Sequence, residues 1–182
     1  MIIGLTGHLE SGKSTLANSI KEHHTEGGVL IMAFARPLKD MCRDYFGFSY
    51  EDLYTSEGKT KLNPFWNITP REFMQRLGQG LRDAICPDVW VKLMEQRIME
   101  KKNTYRTIIC DDIRHPNEAE LIHKLGGVTV RIHRPEHEAK YVGIKNHPSE
   151  QELASEIIDY EVFNTGDPEQ MYQALKTLIP TL

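Results

Sequence analysis

No apolar run in this chain of 182 residues approaches the length of about 18 that a membrane-spanning helix needs. The first apolar segment begins at Met1 and leaves no room for a secretion signal, so the expected location is the cytoplasm, with no membrane partner. Cysteine is scarce. Cys42, Cys86 and Cys110 are odd in number and widely spaced, which excludes a disulfide framework and reads as reduced thiols. Long basic runs are missing and the net charge is -4, which argues against a nucleic-acid partner but leaves room for local anion sites. A cysteine pair is also missing beside His133-x-x-x-His137, so that finger-like spacing reads as a solvated loop, and His23-His24 reads as a polar helix end. Repeats and low-complexity tracts are absent, and the length fits one domain with insertions.

What the chain does have lies near its start. Gly7-His8-Leu9-Glu10-Ser11-Gly12-Lys13-Ser14 fits the phosphate-binding pattern G-x-x-x-x-G-K-[ST] at every fixed position. Glycines permit the tight backbone angles that turn successive N–H groups inward around a phosphate chain. Lys13 is placed to reach the β- and γ-phosphates of a nucleotide, and the Ser14 hydroxyl to join a Mg²⁺ shell. The apolar run Met1 to Thr6 precedes the loop, and Leu16, Ala17 and Ile20 recur at helical spacing after it. Strand, glycine loop and helix is the order that aims a helix N-terminus at an anion.

Further along, Val29 to Ala35 reads as a second buried strand, and Pro37 opens a helix that Gly47 closes. Ser49 to Leu53 reads as a short helical turn, and Thr55 to Asn67 as an irregular, mobile loop. Thr69-Pro70-Arg71-Glu72 is a capping box with Pro at the first helical position. At about 100° per residue, Phe73, Leu77, Leu81 and Ala84 share the expected core face of that helix. Arg71, Gln75, Gly78 and Arg82 fall on another face. It suits an anionic, hydrogen-bonding ligand, and a solvated polar face is the alternative. Trp90, Val91, Met94 and Ile98 mark the next helix. Thr107 to Asp112 is a strand ending in two acids, the place where enzymes with such loops hold Mg²⁺; Asp111, the strand-terminal residue, is favoured over Asp112.

A helix from Arg114 to Leu125, a strand from Val128 to Ile132 and a polar excursion from Arg134 to Asn146 come next. Ser149-x-x-Glu152 caps a further helix, Tyr160 to Phe163 is a fifth strand, and Asp167-Pro168 opens the last helix. Short buried strands alternating with helices predict an α/β fold, a five-stranded parallel sheet flanked by helices. Ligands of such sheets sit at the carboxyl ends of the strands, where the loop, Arg36, Asp111 and Asn164 all fall.

Several further segments resemble the phage deoxynucleoside monophosphate kinases of the P-loop NTPase fold. They are Phe34 to Lys39, Thr69 to Glu72 continuing to Leu77-Gly78 and Arg82, Asp111 to Glu118, His147 to Glu150, and Asp159 to Asn164. Members often carry Gly-Thr where this chain has Gly78-Gln79. The resemblance implies one kinase domain over 1–182, with a helical monophosphate-binding region at 36–104 and a lid at 134–149. It implies transfer of the γ-phosphoryl of ATP, with Mg²⁺ on Ser14 and Asp111, to a deoxynucleoside 5′-monophosphate. Gly7 to Thr15, with Glu10, Ser11, Gly12 and Lys13, then cradle the donor, and Asn164 lies near the adenine. Arg71 and Arg82 hold the acceptor phosphate with Arg36, Lys39 and Arg114; Gln75, Gly78 and Trp90 lie nearer sugar or base. Arg134 is the lid arginine. The resemblance also allows a homodimer and, for a phage protein, the host cytoplasm. Duller readings stand beside these: Lys39 and Arg134 as solvated charges, Trp90 as a core anchor. Rival functions are another small-molecule kinase, such as one acting on dephospho-coenzyme A, and a nucleotide-binding regulatory module without catalysis.

Overall fold

The computed structural model describes residues 1–24, 28–135 and 153–182. Among them five apolar runs pair as strands: β1 (Ile2–Thr6), β2 (Val29–Met32), β3 (Thr107–Cys110), β4 (Val128–His133) and β5 (Tyr160–Phe163). They lie in the order β2-β3-β1-β4-β5, every neighbouring pair parallel. Parallel strands are covered on both faces, which is why β1 and β3 are buried at every position. The strand expected over Val29 to Ala35 stops at Met32, where its pairing with Cys110 ends and the Met32 carbonyl accepts from Asp111 N.

The chain divides into two compact units, Met1–Ala33 with Met94–Leu182, and Phe34–Leu93. The first holds the sheet. Side chains alternate across a strand, so Ile3 and Leu5 share one face and Gly4 the other. On the Ile3 face, Leu16, Ala17 and Ile20 of α1 (Lys13–His23) pack with Met171, Tyr172 and Leu175 of the C-terminal helix Pro168–Leu178. On the Gly4 face a Cβ would lie 2.1 Å from Ile113 and 3.0 Å from Ile122, so only a glycine lets the α-helix Pro116–Lys124 sit this close. His23, expected as a polar helix end, stacks on Tyr172 with ring centroids 3.9 Å apart.

Polar contacts tie the end of the chain to β4. Asp159 accepts from Thr129 N at 2.7 Å and Thr129 Oγ1 at 3.0 Å, and lies 2.8 Å from His123 Nε2. Burial pushes the Asp159 carboxyl up, but these hydrogen bonds outweigh it and hold the group below the ordinary carboxylate value. Buried Arg131 donates to the Leu153 carbonyl and lies 3.5 Å from Glu161.

The second unit is helical: α2 (Arg36–Phe46), α3 (Tyr50–Tyr54), α4 (Ser56–Thr60) and α5 (Pro70–Ala84). Gly47 ends α2 in the left-handed conformation at φ 73°, and Ser49 and Asp52 form a capping box for α3. The segment Thr55 to Asn67 is not the irregular loop the sequence predicts. Thr55 Oγ1 accepts from Gly58 N and starts α4, and Asn63 pairs with Ile68 across an antiparallel bridge. Its composition is polar because the structure there is held by side-chain caps rather than by burial.

Thr69 accepts from Glu72 N to begin α5, one half of the expected capping box, while the Glu72 carboxylate turns to Arg76. The expected core face is only partly covered. Phe73 and Leu77 pack around the small core of Cys42, Phe48 and Leu53, whereas Leu81 is half-buried and Ala84 exposed. That core lies along the helix as far as Leu77 and Gly78 and does not reach Ala84. The three cysteines are free, as the sequence predicts, and burial pushes the Cys42 thiol up to about 11.

Candidate active site

The turn from β1 into α1 takes three left-handed residues, Gly7 at φ 139°, Glu10 at φ 62° and Gly12 at φ 105°. A Cβ on Gly7 would meet the Ile132 carbonyl at 2.5 Å, and one on Gly12 would meet Asn164 Nδ2 at 2.4 Å. Both glycines of the motif are therefore required by angle and by space. Within the loop, Lys13 Nζ donates to the carbonyls of Gly7 at 2.7 Å and His8 at 2.6 Å. Ser11 is buried, and its hydroxyl has no hydrogen-bond partner among the described residues. A buried hydroxyl left unpaired costs about 1–3 kcal/mol.

Three strand ends supply the surroundings. Beyond β3, Asp111 Oδ2 accepts from Ser14 Oγ at 3.0 Å. Burial and the neighbouring Asp112 charge push the Asp111 carboxyl above its ordinary value, against the Ser14 hydrogen bond, its own backbone and Lys13. Beyond β4, Arg134 Nη1 donates to the Glu10 carbonyl at 3.2 Å. Beyond β5, Asn164 Nδ2 donates to the Ser11 carbonyl at 2.8 Å and its Oδ1 accepts from Gly166 N. The structure thus gathers Gly7, Glu10, Ser11, Gly12, Lys13, Ser14, Asp111, Arg134 and Asn164, with the Asn164 amide held by Gly166 at its oxygen and bracing the loop through its nitrogen. Thr15 follows as an exposed residue of α1. Arg114 is exposed, and its backbone N–H, with that of His115, donates to the buried Glu118 carboxylate that caps the helix Pro116–Lys124.

A raised carboxyl carries a stability consequence. The folded protein binds more protons than the unfolded chain between the ordinary carboxylate pKa and the raised one. Stability is therefore lost as pH rises through that window and stays lost at neutral pH. Asp111→Asn keeps an acceptor for Ser14 while removing the penalised charge. It is expected to raise Tm at pH 7. About 1 kcal/mol moves Tm by roughly 2–4 °C in a domain of this size, so calorimetry reads the shift, and a lower Tm contradicts it.

In the helical unit, Arg71, Gln75 and Arg82 are half-buried on the face the sequence predicts. Arg82 Nη1 lies 4.0 Å from the point a Cβ on Gly78 would occupy, and Leu38 lies 3.2 Å from that point. The helical glycine makes room for Leu38, while Arg82 lies at ordinary contact distance. Trp90 is buried and donates from its indole to the Gly78 carbonyl at 3.1 Å. Arg36 pairs with Asp40 at 3.0 Å, and Lys39 Nζ stands 4.2 Å above the Tyr54 ring. Tyr54 escaped the sequence reading; its signal is the i, i+4 spacing from Tyr50 in α3. Of the segment 134–149, expected as a lid, only Arg134 and Pro135 are described. His137, the 147–150 segment and the helix capped at 149–152 lie outside the described residues.

The donor set fits Mg²⁺. Among the described residues no group of three or more His, Cys, Asp or Glu side chains could hold a metal alone. A hydroxyl beside one carboxylate suits a hard cation that keeps its waters and takes phosphate oxygens. The unpaired Ser11 hydroxyl likewise fits a loop whose remaining acceptor comes from a phosphate.

A glycine loop at the carboxyl end of β1, where the strand order switches sides, with a hydroxyl–carboxylate pair at the next strand end, defines a P-loop phosphotransferase. The shikimate kinase of Aquifex aeolicus shares this fold at TM-score 0.50 and 16% identity, over 100% of this chain and 97% of that one. The sequence model of the family "Deoxynucleotide monophosphate kinase" matches residues 48–175. A protein of Acanthamoeba polyphaga mimivirus described as "Putative deoxynucleotide monophosphate kinase" is 32% identical over 191 residues, covering 96% of this chain and 94% of its own. The chain belongs to the deoxynucleotide monophosphate kinase family. The family match begins beyond residue 14, so it owes nothing to the glycine loop. Among the described residues no helix is long and apolar enough to cross a membrane.

Proposed function

We propose that this kinase transfers the γ-phosphoryl group of ATP, in the presence of Mg²⁺, to a deoxynucleoside 5′-monophosphate. An oxygen of the acceptor phosphate bonds to the γ-phosphorus, the bond from that phosphorus to the bridging oxygen breaks, and ADP leaves beside a deoxynucleoside diphosphate. An acceptor phosphate is largely dianionic at neutral pH, so its attacking oxygen needs no general base. Positioning and charge neutralisation then carry the rate.

Each residue follows from that requirement. Backbone N–H groups from Gly7 to Thr15 and the Ser11 hydroxyl hold the donor phosphates. Lys13 exchanges the loop carbonyls for the β- and γ-phosphates and follows the migrating charge. Ser14 and Asp111 hold Mg²⁺, which neutralises charge on the donor phosphates when bound. Arg71 and Arg82 grip the acceptor phosphate with Arg36, Lys39 and Arg114, while Gln75 serves its sugar or base; Trp90, buried with its indole on the Gly78 carbonyl, anchors that face from behind instead of touching the ligand. Arg134 moves from the Glu10 carbonyl to the transferring group as the lid residue. The observation that carries the reading is the Ser14–Asp111 pair beside a loop whose lysine is parked on its own carbonyls.

An ADP-release assay with ATP and Mg²⁺ across the four deoxynucleoside monophosphates, their ribose counterparts and dephospho-coenzyme A tests this. Turnover of at least one deoxynucleoside monophosphate, abolished by EDTA, is the expected result. Turnover of dephospho-coenzyme A alone overturns the acceptor assignment. Nucleotide binding without any turnover overturns the catalytic one.

A further inference from the structure

The α2 helix turns Arg36, Lys39, Asp40 and Arg43 to one side, at positions i, i+3, i+4 and i+7. Asp40 pairs with Arg36 at 3.0 Å and with Arg43 at 3.1 Å. Lys39 is held differently. Its ammonium stands 4.2 Å above the Tyr54 ring centroid, and the Arg36 guanidinium carbon lies 5.9 Å from the same point. Tyr50 stacks on that ring at 4.4 Å with an interplanar angle of 16°. Lys39, Arg36 and Tyr50 thus all rest against the Tyr54 ring.

The Tyr54 hydroxyl is buried and has no hydrogen-bond partner among the described residues. It therefore gives Lys39 no hydrogen bond, and what Tyr54 offers the lysine is its ring. A half-buried ammonium on an aromatic face gains about 0.5–2 kcal/mol. It also forfeits in advance part of the roughly 2 kcal/mol of rotamer freedom that a lysine otherwise loses when it grips an anion.

We propose that Tyr54 is a positioning residue for the acceptor, its ring fixing Lys39 and the nearby Arg36 so that both charges are in place before the monophosphate arrives. This rests on the reading above that Lys39 and Arg36 bind the acceptor phosphate. Both kinds of neighbour act along α2: Asp40 orients the arginines through ion pairs, and the Tyr54 ring sets the position of the lysine.

The test uses the full-length protein as wild type, Tyr54→Phe, Tyr54→Leu and Lys39→Met, with each of dAMP, dCMP, dGMP and dTMP as acceptor. Tyr54→Leu is expected to raise acceptor KM by roughly 2- to 30-fold, the range the cation–aromatic energy converts to, with kcat changed much less. Tyr54→Phe should return KM to within about twofold of wild type on that same scale. In parallel, reductive methylation with ¹³C-formaldehyde gives a Lys39 signal, assigned by its loss in Lys39→Met. That signal should be displaced upfield by the ring in wild type and Tyr54→Phe and return to the ordinary position in Tyr54→Leu. A KM increase equal in Tyr54→Phe and Tyr54→Leu overturns the proposal, because the hydroxyl and not the ring then matters. Absence of ring displacement in wild type overturns it whatever the kinetics. If Lys39→Met raises KM and Tyr54→Leu does not, the inference fails while the acceptor assignment stands. If the displacement is present but Lys39→Met leaves KM unchanged, the acceptor role of Lys39 fails, and the inference with it.

Discussion

Lys13→Ala is expected to lower kcat by at least about 10²-fold, the scale of losing one positioned electrostatic contact to developing charge. The ammonium sits among loop carbonyls at 2.7 and 2.6 Å, within a few ångströms of where donor phosphates lie in loops of this shape, and needs only a rotamer change to leave them. On the proposed reading its charge acts most fully on the phosphoryl group in transit, so the loss is expected to fall on kcat more than on the KM for ATP. Removing a half-buried lysine whose hydrogen bonds lie inside one loop leaves the core untouched, so Tm and far-UV circular dichroism should stay near wild type. Lys13→Met, which keeps the aliphatic stem, separates charge from packing and should be equally impaired. A near-normal rate in either folded variant contradicts the phosphate role.

Arg82→Ala should spare the donor and damage the acceptor. A charge-assisted hydrogen bond to an anion is worth about 1.5–3 kcal/mol, which converts to a fall of roughly 10- to 150-fold in kcat/KM for the monophosphate. ATP affinity, measured by calorimetry without acceptor, should remain within about twofold on the same scale. The guanidinium already reaches back over Gly78, and the variant removes it without opening a core cavity, since Arg82 is only half-buried. The opposite pattern, weakened ATP binding with normal acceptor use, shows that the helix face has been assigned to the wrong nucleotide.

Much of the donor side can be read from the sequence because it depends on local rules. A glycine loop between an apolar run and a helix, and an acid at a strand end, are contiguous signals, and Gly7 to Ser14 and Asp111 stand where those signals point. The α5 start at Thr69-Pro70 is legible for the same reason. The extent of burial is not. Leu81 and Ala84 keep the periodicity of a core face, but whether that face is covered depends on how far the Cys42, Phe48 and Leu53 cluster extends. Helix α4 escaped because Ser56–Thr60 has neither an apolar face nor length, only a cap at Thr55. Asn164, assigned to the adenine by resemblance, is seen here bonded to the loop, a contact 153 residues apart that no window of sequence contains. Tyr54 is missed likewise: its partner Lys39 lies on another helix.

The brace from Asn164 has a consequence for how the molecule is made. The loop is synthesised well before β5, yet the amide that occupies the space beside Gly12 and ties the Ser11 carbonyl belongs to Asn164, just beyond that strand. A nascent or truncated chain ending short of β5 therefore carries the motif without its finished shape. Nucleotide affinity should switch on late in synthesis, when residue 164 emerges, rather than growing with chain length.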